Sequence, residues 1–340
     1  MTLPLSFLLM SILAALLASG CTSAKGQATA GVEAEKATLN VVTTIAPITS
    51  IVEDIGGTKV RITGLVPEGV NSHTFEPAPS AAAALAEADV LIANGLFLET
   101  RTVELAKASM RPGTTVLELG EKAISRSEWR FDFSFPEDGG HPNPHLWPDP
   151  ILSLEYAMLI AEELSRLEPP NASYFAANYA AFKQRIDSLD AAIVTAIATI
   201  PPQNRVLLTY HDSWAYFASR YGMTVIGAVQ PSDFSEPSAR EVADLIDQIR
   251  DRRLPAIFGS EVFPSGVMEQ IARETGATFV DNLRDDDLPG APGDPDHSYL
   301  GMMVLNVETI VEALGGDASV VSAVSKGPGL SGAPRAVYPQ

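Results

Sequence analysis

"ASYFAANYAAFKQRIDSLDAAIVTAIATI", residues 172–200, carries apolar residues at helical spacing and contains no glycine or proline. Asn171 before it is a favoured N-cap residue, and Pro201-Pro202 after it cannot continue a helix. The stretch therefore predicts one α-helix of about 28 residues, which at 1.5 Å per residue spans about 42 Å. A helix of this length can cross one domain and continue into a second, and without an interior glycine or proline it cannot bend far.

Strand patterns and helix patterns alternate on both sides of this helix. "LNVVTT" is typical of a buried parallel strand, because β-branched and apolar residues follow one another without a polar face. Such alternation predicts the α/β class, with two lobes that are each a parallel sheet flanked by helices, joined by the one long rigid α-helix. The predicted strands are residues 39–47, 59–66, 89–95, 114–119, 205–210, 223–229, 255–260 and 277–282.

The N-terminus has the pattern of an export signal. "MTLPLSFLLMSILAALLASGC" is uncharged and apolar, with a length that suits a signal peptide and is short for a membrane span. Cys21, the only cysteine of the chain, follows small residues and resembles the lipidated cysteine of a bacterial lipobox. The segment lacks Lys and Arg, and Ala18 stands where leucine is commoner, so an uncleaved N-terminal anchor is the alternative. Either interpretation predicts an exported, membrane-tethered protein in the periplasm or at the cell surface, lipid-anchored through Cys21 in the first case.

Composition and charge complete the outline of the chain. The formal net charge of −19 argues against nucleic acid as a partner, because phosphate binding needs a basic surface. We expect a monomer. The predicted parts are a signal peptide at 1–20, a lipidated flexible tether at 21–37, an N-terminal α/β lobe at 38–168, the linking long helix at 169–200, a C-terminal α/β lobe at 201–316 and a Gly/Pro-rich disordered tail at 317–340.

All five histidines lie in loops that follow predicted strands. Ligands of open α/β sheets bind at the carboxyl ends of the strands, so two lobes that face each other by those edges would bring the loops into one cleft. Prolines stiffen some of these loops, as in "GGHPNPHLWPDP", residues 139–150. The sequence therefore predicts a metal cleft between the lobes, with candidate ligands His73, His141, His145, His211 and His297.

Imidazole ligands narrow the choice of metal without deciding it. Three or four imidazoles with a possible carboxylate suit Zn²⁺ in tetrahedral geometry. A thiolate takes no part, because Cys21 belongs to the tether. Imidazole also suits copper, nickel and iron(II), so composition alone leaves the metal open.

Several long stretches resemble one family, the metal-binding lipoproteins of the zinc/manganese cluster among the substrate-binding proteins of ABC transporters. They follow the family's order and cover roughly residues 39–314. The resemblance implies two lobes joined by a single rigid helix, a metal ion bound in the cleft, and delivery of that ion to an ABC permease in the membrane. The stretches are "VVTTIAPITSIVEDIGG", "GLVPEGVNSHTFEPAPS", "NPHLWPDP", "LLTYHDSWAYFASRYG", "AVQPSDFSEPSAREVADLIDQI" and "YLGMMVLNVETIVEAL".

The resemblance also implies three ligands and the kind of metal they bind. The ligand loops of the family carry His73, His145 and His211 in this chain. The third ligand is usually histidine in zinc-type members and glutamate in many manganese-type members. His211 therefore favours Zn²⁺, with Mn²⁺ or Fe²⁺ as the alternative cargo.

The fourth ligand stays open at this point. Family members that supply it commonly use an aspartate shortly before the last helix, and an ungapped count places His297 there, with Asp296 beside it. The ligand is then His297, Asp296 or a water molecule. Glu261, which follows a strand, is a further alternative, although we expect it to orient an imidazole through its other nitrogen. We expect His141 to be solvent-exposed or to form a weak auxiliary site.

A zinc hydrolase of the cell envelope is the competing function. A catalytic zinc needs an open coordination position and a general base beside its water, for which Glu76 or Glu261 would be nominated. No motif fixes a carboxylate at helical spacing from a ligand, so we expect transport rather than enzyme activity. A surface adhesin is a third possibility for which the sequence has no specific feature.

Overall fold

The structure of the protein, a computed structural model, describes residues 39–263, 266–330 and 335–338. The predicted signal peptide, Cys21 and the tether lie outside the described residues. Among the helices within the described ranges, none combines the length and the hydropathy needed to cross a membrane.

Two parallel four-stranded sheets form the framework, in the orders β2-β1-β3-β4 and β6-β5-β7-β8. The predicted α/β fold with two sheets and one long helix is confirmed. The strands are β1 (Leu39–Thr43), β2 (Val60–Gly64), β3 (Val90–Ala93), β4 (Thr115–Glu118), β5 (Val206–Thr209), β6 (Thr224–Ala228), β7 (Ala256–Ser260) and β8 (Thr278–Leu283).

Helices cover both faces of each sheet. Successive residues of a strand point to opposite sides, and in the central strands the residues on both sides are apolar. In β1, Val41 packs into one hydrophobic cluster while Val42 packs into another, and Leu207 and Leu208 of β5 divide in the same way. The helices are α1 (Ala46–Gly56), α2 (Pro79–Glu87), α3 (Thr100–Ser109), α4 (Gly120–Ala123), α5 (Pro150–Leu167), α6 (Ala172–Thr199), α7 (Ala215–Tyr221), α8 (Ala239–Arg252), α9 (Gly266–Thr275), α10 (Tyr299–Ala313) and α11 (Ser319–Ser322).

The order of the strands explains where the ligand loops go. β1 lies between β2 and β3, and β5 lies between β6 and β7, so each sheet reverses its strand order beside its first strand. At such a switch point the loops after neighbouring strands leave in opposite directions and open a crevice. The loops that follow β2, β4, β5 and β8 carry the five histidines.

The long helix is α6, with 28 residues. One stripe of it is buried at intervals of three or four residues, the period of one helical face. That stripe belongs to a hydrophobic cluster that also contains Val41 of the first sheet and Leu207 of the second. α6 is therefore packed into a core shared by both lobes. The buried stripe comprises Phe175, Asn178, Phe182, Ile186, Leu189, Ile193, Ala196 and Ile197.

The described part of the predicted disordered tail packs against the first lobe. The Gly329 amide donates to Asp54 Oδ1 at 2.6 Å, and the Ala336 amide donates to Glu53 Oε1 at 2.9 Å. Val337 forms a parallel bridge with Thr63 on the edge strand β2. These contacts supply donors to two buried carboxylates of α1 and cover an open sheet edge, which is why the segment takes a defined path despite its composition.

We expect little change in the overall dimensions of the protein when metal binds, because α6 shares its core with both lobes and cannot act as a flexible hinge. Small-angle X-ray scattering of the chelator-treated and metal-loaded protein checks this expectation. The two radii of gyration should agree within measurement error. A large compaction on loading, as in hinge-closing binding proteins, would contradict it.

Candidate metal centre

Three histidines from three separate loops meet at one point. His73 lies in the loop after β2, His145 in the loop between β4 and α5, and His211 directly after β5. The Nε2 atom of His145 lies 3.1 Å from Nε2 of His73 and 2.9 Å from Nε2 of His211. Nitrogen ligands at the usual Zn–N length of about 2.1 Å lie about 3.4 Å apart in a tetrahedron, so these atoms are close to the spacing that one ion requires.

The other ring nitrogens fix the orientation of two of these imidazoles. Nδ1 of His145 lies 2.8 Å from Oδ1 of Asn143, and Nδ1 of His211 lies 2.7 Å from Oε1 of Gln230. An amide oxygen only accepts, so each Nδ1 carries the proton and donates it. Each Nε2 then presents a lone pair to the shared point, which is the tautomer that binds a metal ion.

The environments of His73 and His145 favour the neutral form of both rings. Burial lowers the pKa of His73 and of His145 well below 6.5, and the nearby His211 ring lowers both further. Because an imidazole must be deprotonated to bind a metal ion, the site stays ready to bind at pH values where a free histidine is partly charged.

Aromatic rings surround the three imidazoles. The Phe234 ring stacks on His73 with centroids 4.5 Å apart, and the Phe263 ring stacks on His211 at 4.9 Å. A cavity of about 290 Å³ opens beside His73, and Phe97, Phe135, His141 and Phe234 are among the residues that line it. The rings keep water away from the imidazoles, and the cavity gives a small ion a route to His73.

A buried carboxylate completes this group of side chains. Oδ2 of Asp285 lies 4.0 Å from Nε2 of His211. The hydroxyl groups of Ser213 and Ser260 donate to the two oxygens of Asp285 at 2.8 and 2.6 Å and hold the carboxylate in place. Sequence reasoning missed Asp285. Its position just after β8, equivalent to that of His211 just after β5, is the signal that points to it.

Further acidic groups lie next to Asp285. Burial is the main cause that raises the pKa of Asp286 to about 6 and of Asp287 to about 7, and neighbouring carboxylates raise both further. Burial and the three aspartates also raise the pKa of Glu261. This excess of buried acid on one side of the imidazoles favours a cation at their centre.

The other histidines named by the sequence lie elsewhere. Nε2 of His297 is 3.2 Å from Oε1 of Glu68, and its Nδ1 is 3.3 Å from the carbonyl oxygen of Pro289. The ring of His141 stacks on Phe97 with centroids 3.9 Å apart, and His141 is solvent-exposed. Within the described ranges, His73, His145 and His211 are the group whose ligand atoms come close enough together to hold one ion.

The carboxylates named as alternatives also make other contacts. Asp296 is exposed, and its backbone carbonyl accepts from the Ser298 amide. Glu261 accepts from the backbone amides of residues 285–287 at 3.4, 3.3 and 2.9 Å, so it orients the Asp285 loop and not an imidazole. The ungapped count from the last helix pointed to His297 and Asp296 because it left out the length of the loop before that helix.

Known metal-binding proteins are similar to this chain over most of its length. Residues 41–313 match the family model described as "Zinc-uptake complex component A periplasmic". The zinc-binding protein TroA of Treponema pallidum is 31% identical over 289 residues, which are 81% of this chain and 88% of that protein. The solved structure of periplasmic zinc-binding TroA matches with a TM-score of 0.74 and 31% identity, over 82% of this chain and 99% of that one.

Relatives named for other metals match over similar lengths. The manganese-binding lipoprotein MntA of Halalkalibacterium halodurans is 27% identical over 309 residues, covering 91% of this chain and 97% of that protein. The iron-binding protein YfeA of Yersinia pestis is 26% identical over 275 residues, covering 81% and 86%. The two-lobed fold, the converging histidines and these matches lead to one conclusion: the chain belongs to the zinc-uptake component A family, the metal-binding substrate-binding proteins of ABC transporters.

Proposed function

We propose that this protein captures one divalent transition-metal ion outside the cytoplasm, most favourably Zn²⁺, and delivers it to an ABC permease for uptake. The observation that carries the proposal is the meeting of three imidazoles from loops of both sheets, with Nε2 of His145 3.1 Å from Nε2 of His73 and 2.9 Å from Nε2 of His211. Such a site forms only when both lobes are folded and joined, so binding reports on the whole cleft.

The proposed ligands are Nε2 of His73, His145 and His211 and a carboxylate oxygen of Asp285. This set has three nitrogens and one oxygen, which suits a four-coordinate zinc ion. Asp285 takes the place that sequence counting gave to His297, since Nε2 of His297 lies against Glu68 at 3.2 Å and outside the histidine cluster. Oδ2 of Asp285 lies 4.0 Å from Nε2 of His211, so this carboxylate would move toward the ion on binding.

Zinc is the proposed cargo because His211 supplies a nitrogen where a carboxylate would suit a harder ion. Mn²⁺ and Fe²⁺ favour more oxygen ligands and higher coordination numbers than this group offers. TroA is named for zinc, whereas MntA is named for manganese and YfeA for iron. Manganese and iron therefore remain the alternative cargoes within the same function.

The proposed location follows from the N-terminal sequence and from the relatives. Cys21 follows an apolar segment of signal-peptide length, and MntA is named a lipoprotein. Lipidation of Cys21 would tether the protein to the membrane beside its permease. The tether of residues 21–37 would leave the cleft free to take up metal and to meet the permease.

A hydrolase is the weaker candidate because the nominated bases have other roles. Glu261 uses its carboxylate on backbone amides of residues 285–287. Glu76 is exposed and pairs with Arg101. With Asp285 as the fourth ligand, the ion has no open position for a reactive water, which is the arrangement of a binding site and not of a catalytic one.

Replacement of single ligands tests the proposed site. His73→Ala, His145→Ala, His211→Ala and Asp285→Ala should each weaken zinc binding more than about 100-fold, because removal of a supporting residue alone costs about 10- to 100-fold. Isothermal titration calorimetry with a competing chelator measures the affinity, and circular dichroism checks the fold.

His141→Ala and His297→Ala are the matched controls, since both remove an imidazole outside the cluster. His141→Ala should leave the zinc affinity at the wild-type value, and His297→Ala, which removes only a contact with Glu68, should change it far less than Asp285→Ala does. An unchanged affinity in His211→Ala, or a loss in His297→Ala as large as in Asp285→Ala, would contradict the proposed ligand set.

Metal preference needs a variant as well as a titration, because most nitrogen sites bind Zn²⁺ more tightly than Mn²⁺. His211→Glu replaces the third nitrogen by a carboxylate oxygen. The ratio of the Mn²⁺ and Zn²⁺ dissociation constants should fall at least about tenfold in this variant, since oxygen ligands suit manganese. Competition titrations of both ions measure the ratio. A wild-type ratio already near one, or a ratio unchanged by the substitution, would contradict a site selective for zinc.

A further inference from the structure

Three consecutive aspartates after β8 bond to three different parts of the molecule. The carboxylate of Asp285 accepts from serine hydroxyls of its own lobe, beside the histidines. Oδ2 of Asp286 accepts from the hydroxyl of Ser72 at 2.8 Å, and Oδ2 of Asp287 accepts from the amide of Gly69 at 2.7 Å. Asp286 and Asp287 therefore reach across to the loop of the first lobe that carries His73.

The aspartate run is firmly held in the second lobe. Glu261 accepts from the amides of all three aspartates. The side chain of Asn306 in α10 donates to the carbonyl of Arg284 at 2.6 Å and accepts from its amide at 2.8 Å. The run is therefore held by Glu261 after β7 on one side and by Asn306 of α10 on the other. Its position in the second lobe is fixed by these bonds.

The His73 loop has few comparable anchors in its own lobe. Between residues 67 and 77, three contacts lead to the second lobe, from Ser72 to Asp286, from Gly69 to Asp287 and from Glu68 to His297, whereas Glu76 pairs with Arg101 of its own lobe. Ser72 is 2% exposed and directly precedes His73. The chain next to His73 is thus tied to the second lobe by bonds that exist only while this loop lies against the aspartate run.

We propose that Asp286 and Asp287 form a latch between the lobes, which holds the His73 loop over the bound ion and sets the rate of its release. The latch consists of Asp286 with Ser72 and Asp287 with Gly69. It rests on the proposed metal-binding function, and its members are positioning residues, since they act on the ion through His73. Opening of the loop breaks both bonds and withdraws one ligand, so the latch slows dissociation without adding a ligand.

The rate of zinc release tests the latch. Zinc-loaded protein is mixed with excess chelator in a stopped-flow instrument, and the absorbance of the chelator–zinc complex gives the dissociation rate. Ser72→Ala and Asp286→Ala should each speed release about tenfold or more, because each removes a hydrogen bond to a charged group. The double variant should release zinc no faster than Asp286→Ala, since both substitutions break the same bond.

Two further variants separate the latch from a general loss of structure. Asp286→Asn keeps an oxygen that accepts from Ser72, so its release rate should stay near that of the wild type. Asp247→Ala, on the exposed face of α8, is the matched aspartate control and should leave the rate unchanged. Unchanged rates in Ser72→Ala and Asp286→Ala, or rate effects that multiply in the double variant, would overturn the proposal.

Hydrogen exchange of the metal-free protein tests the latch without metal. Ser72→Ala and Asp287→Ala should raise the exchange rate of the amides at residues 69–73 relative to the wild type and to Asp247→Ala. Unchanged exchange there would overturn the latch whatever the metal result. If the wild-type protein binds no zinc but the variants show this exchange pattern, the proposed function is refuted. The contact between the loop and the aspartate run then still stands.

Discussion

Three imidazoles meet at one point, and the rest of the structure serves that arrangement. Nε2 of His145 lies 2.9 Å from Nε2 of His211 and 3.1 Å from Nε2 of His73, and a cation between these electron-rich nitrogens would stabilise their close approach. Burial and mutual proximity keep protons off the rings by lowering the pKa of His73 and His145. A divalent ion at that point would bind all three rings at once. Its binding would then offset the free energy that it costs to hold the rings so close together.

The architecture supplies this convergence from elements that are far apart in sequence. Strand order reverses beside β1 and β5, which opens a crevice at the carboxyl edge of each sheet. The shared core around α6 keeps the two crevices facing each other. Local movement is then left to loops, and the bonds of the His73 loop to the aspartate run are contacts that a few substitutions remove.

Much of the fold was predictable from sequence because it rests on periodic patterns. The absence of glycine and proline in residues 172–200 predicted α6. The placement of histidines after strands gave five candidates, and the family resemblance selected the three that the structure brings together. Asp285 was not predictable by counting, since the loop before α10 has no period and its length fixes no register. The positions of Gly329 and Ala336 also depended on partners, Asp54 and Glu53, that only the folded chain brings near.

The central claim is that one ion binds to His73, His145, His211 and Asp285. A crystal of zinc-loaded protein, with diffraction data collected on both sides of the zinc absorption edge, tests it most directly. The account predicts one strong anomalous peak about 2.1 Å from the three Nε2 atoms and from a carboxylate oxygen of Asp285. A peak bonded instead to His297 and Glu68, or a peak at His141 with none among the three histidines, would contradict it.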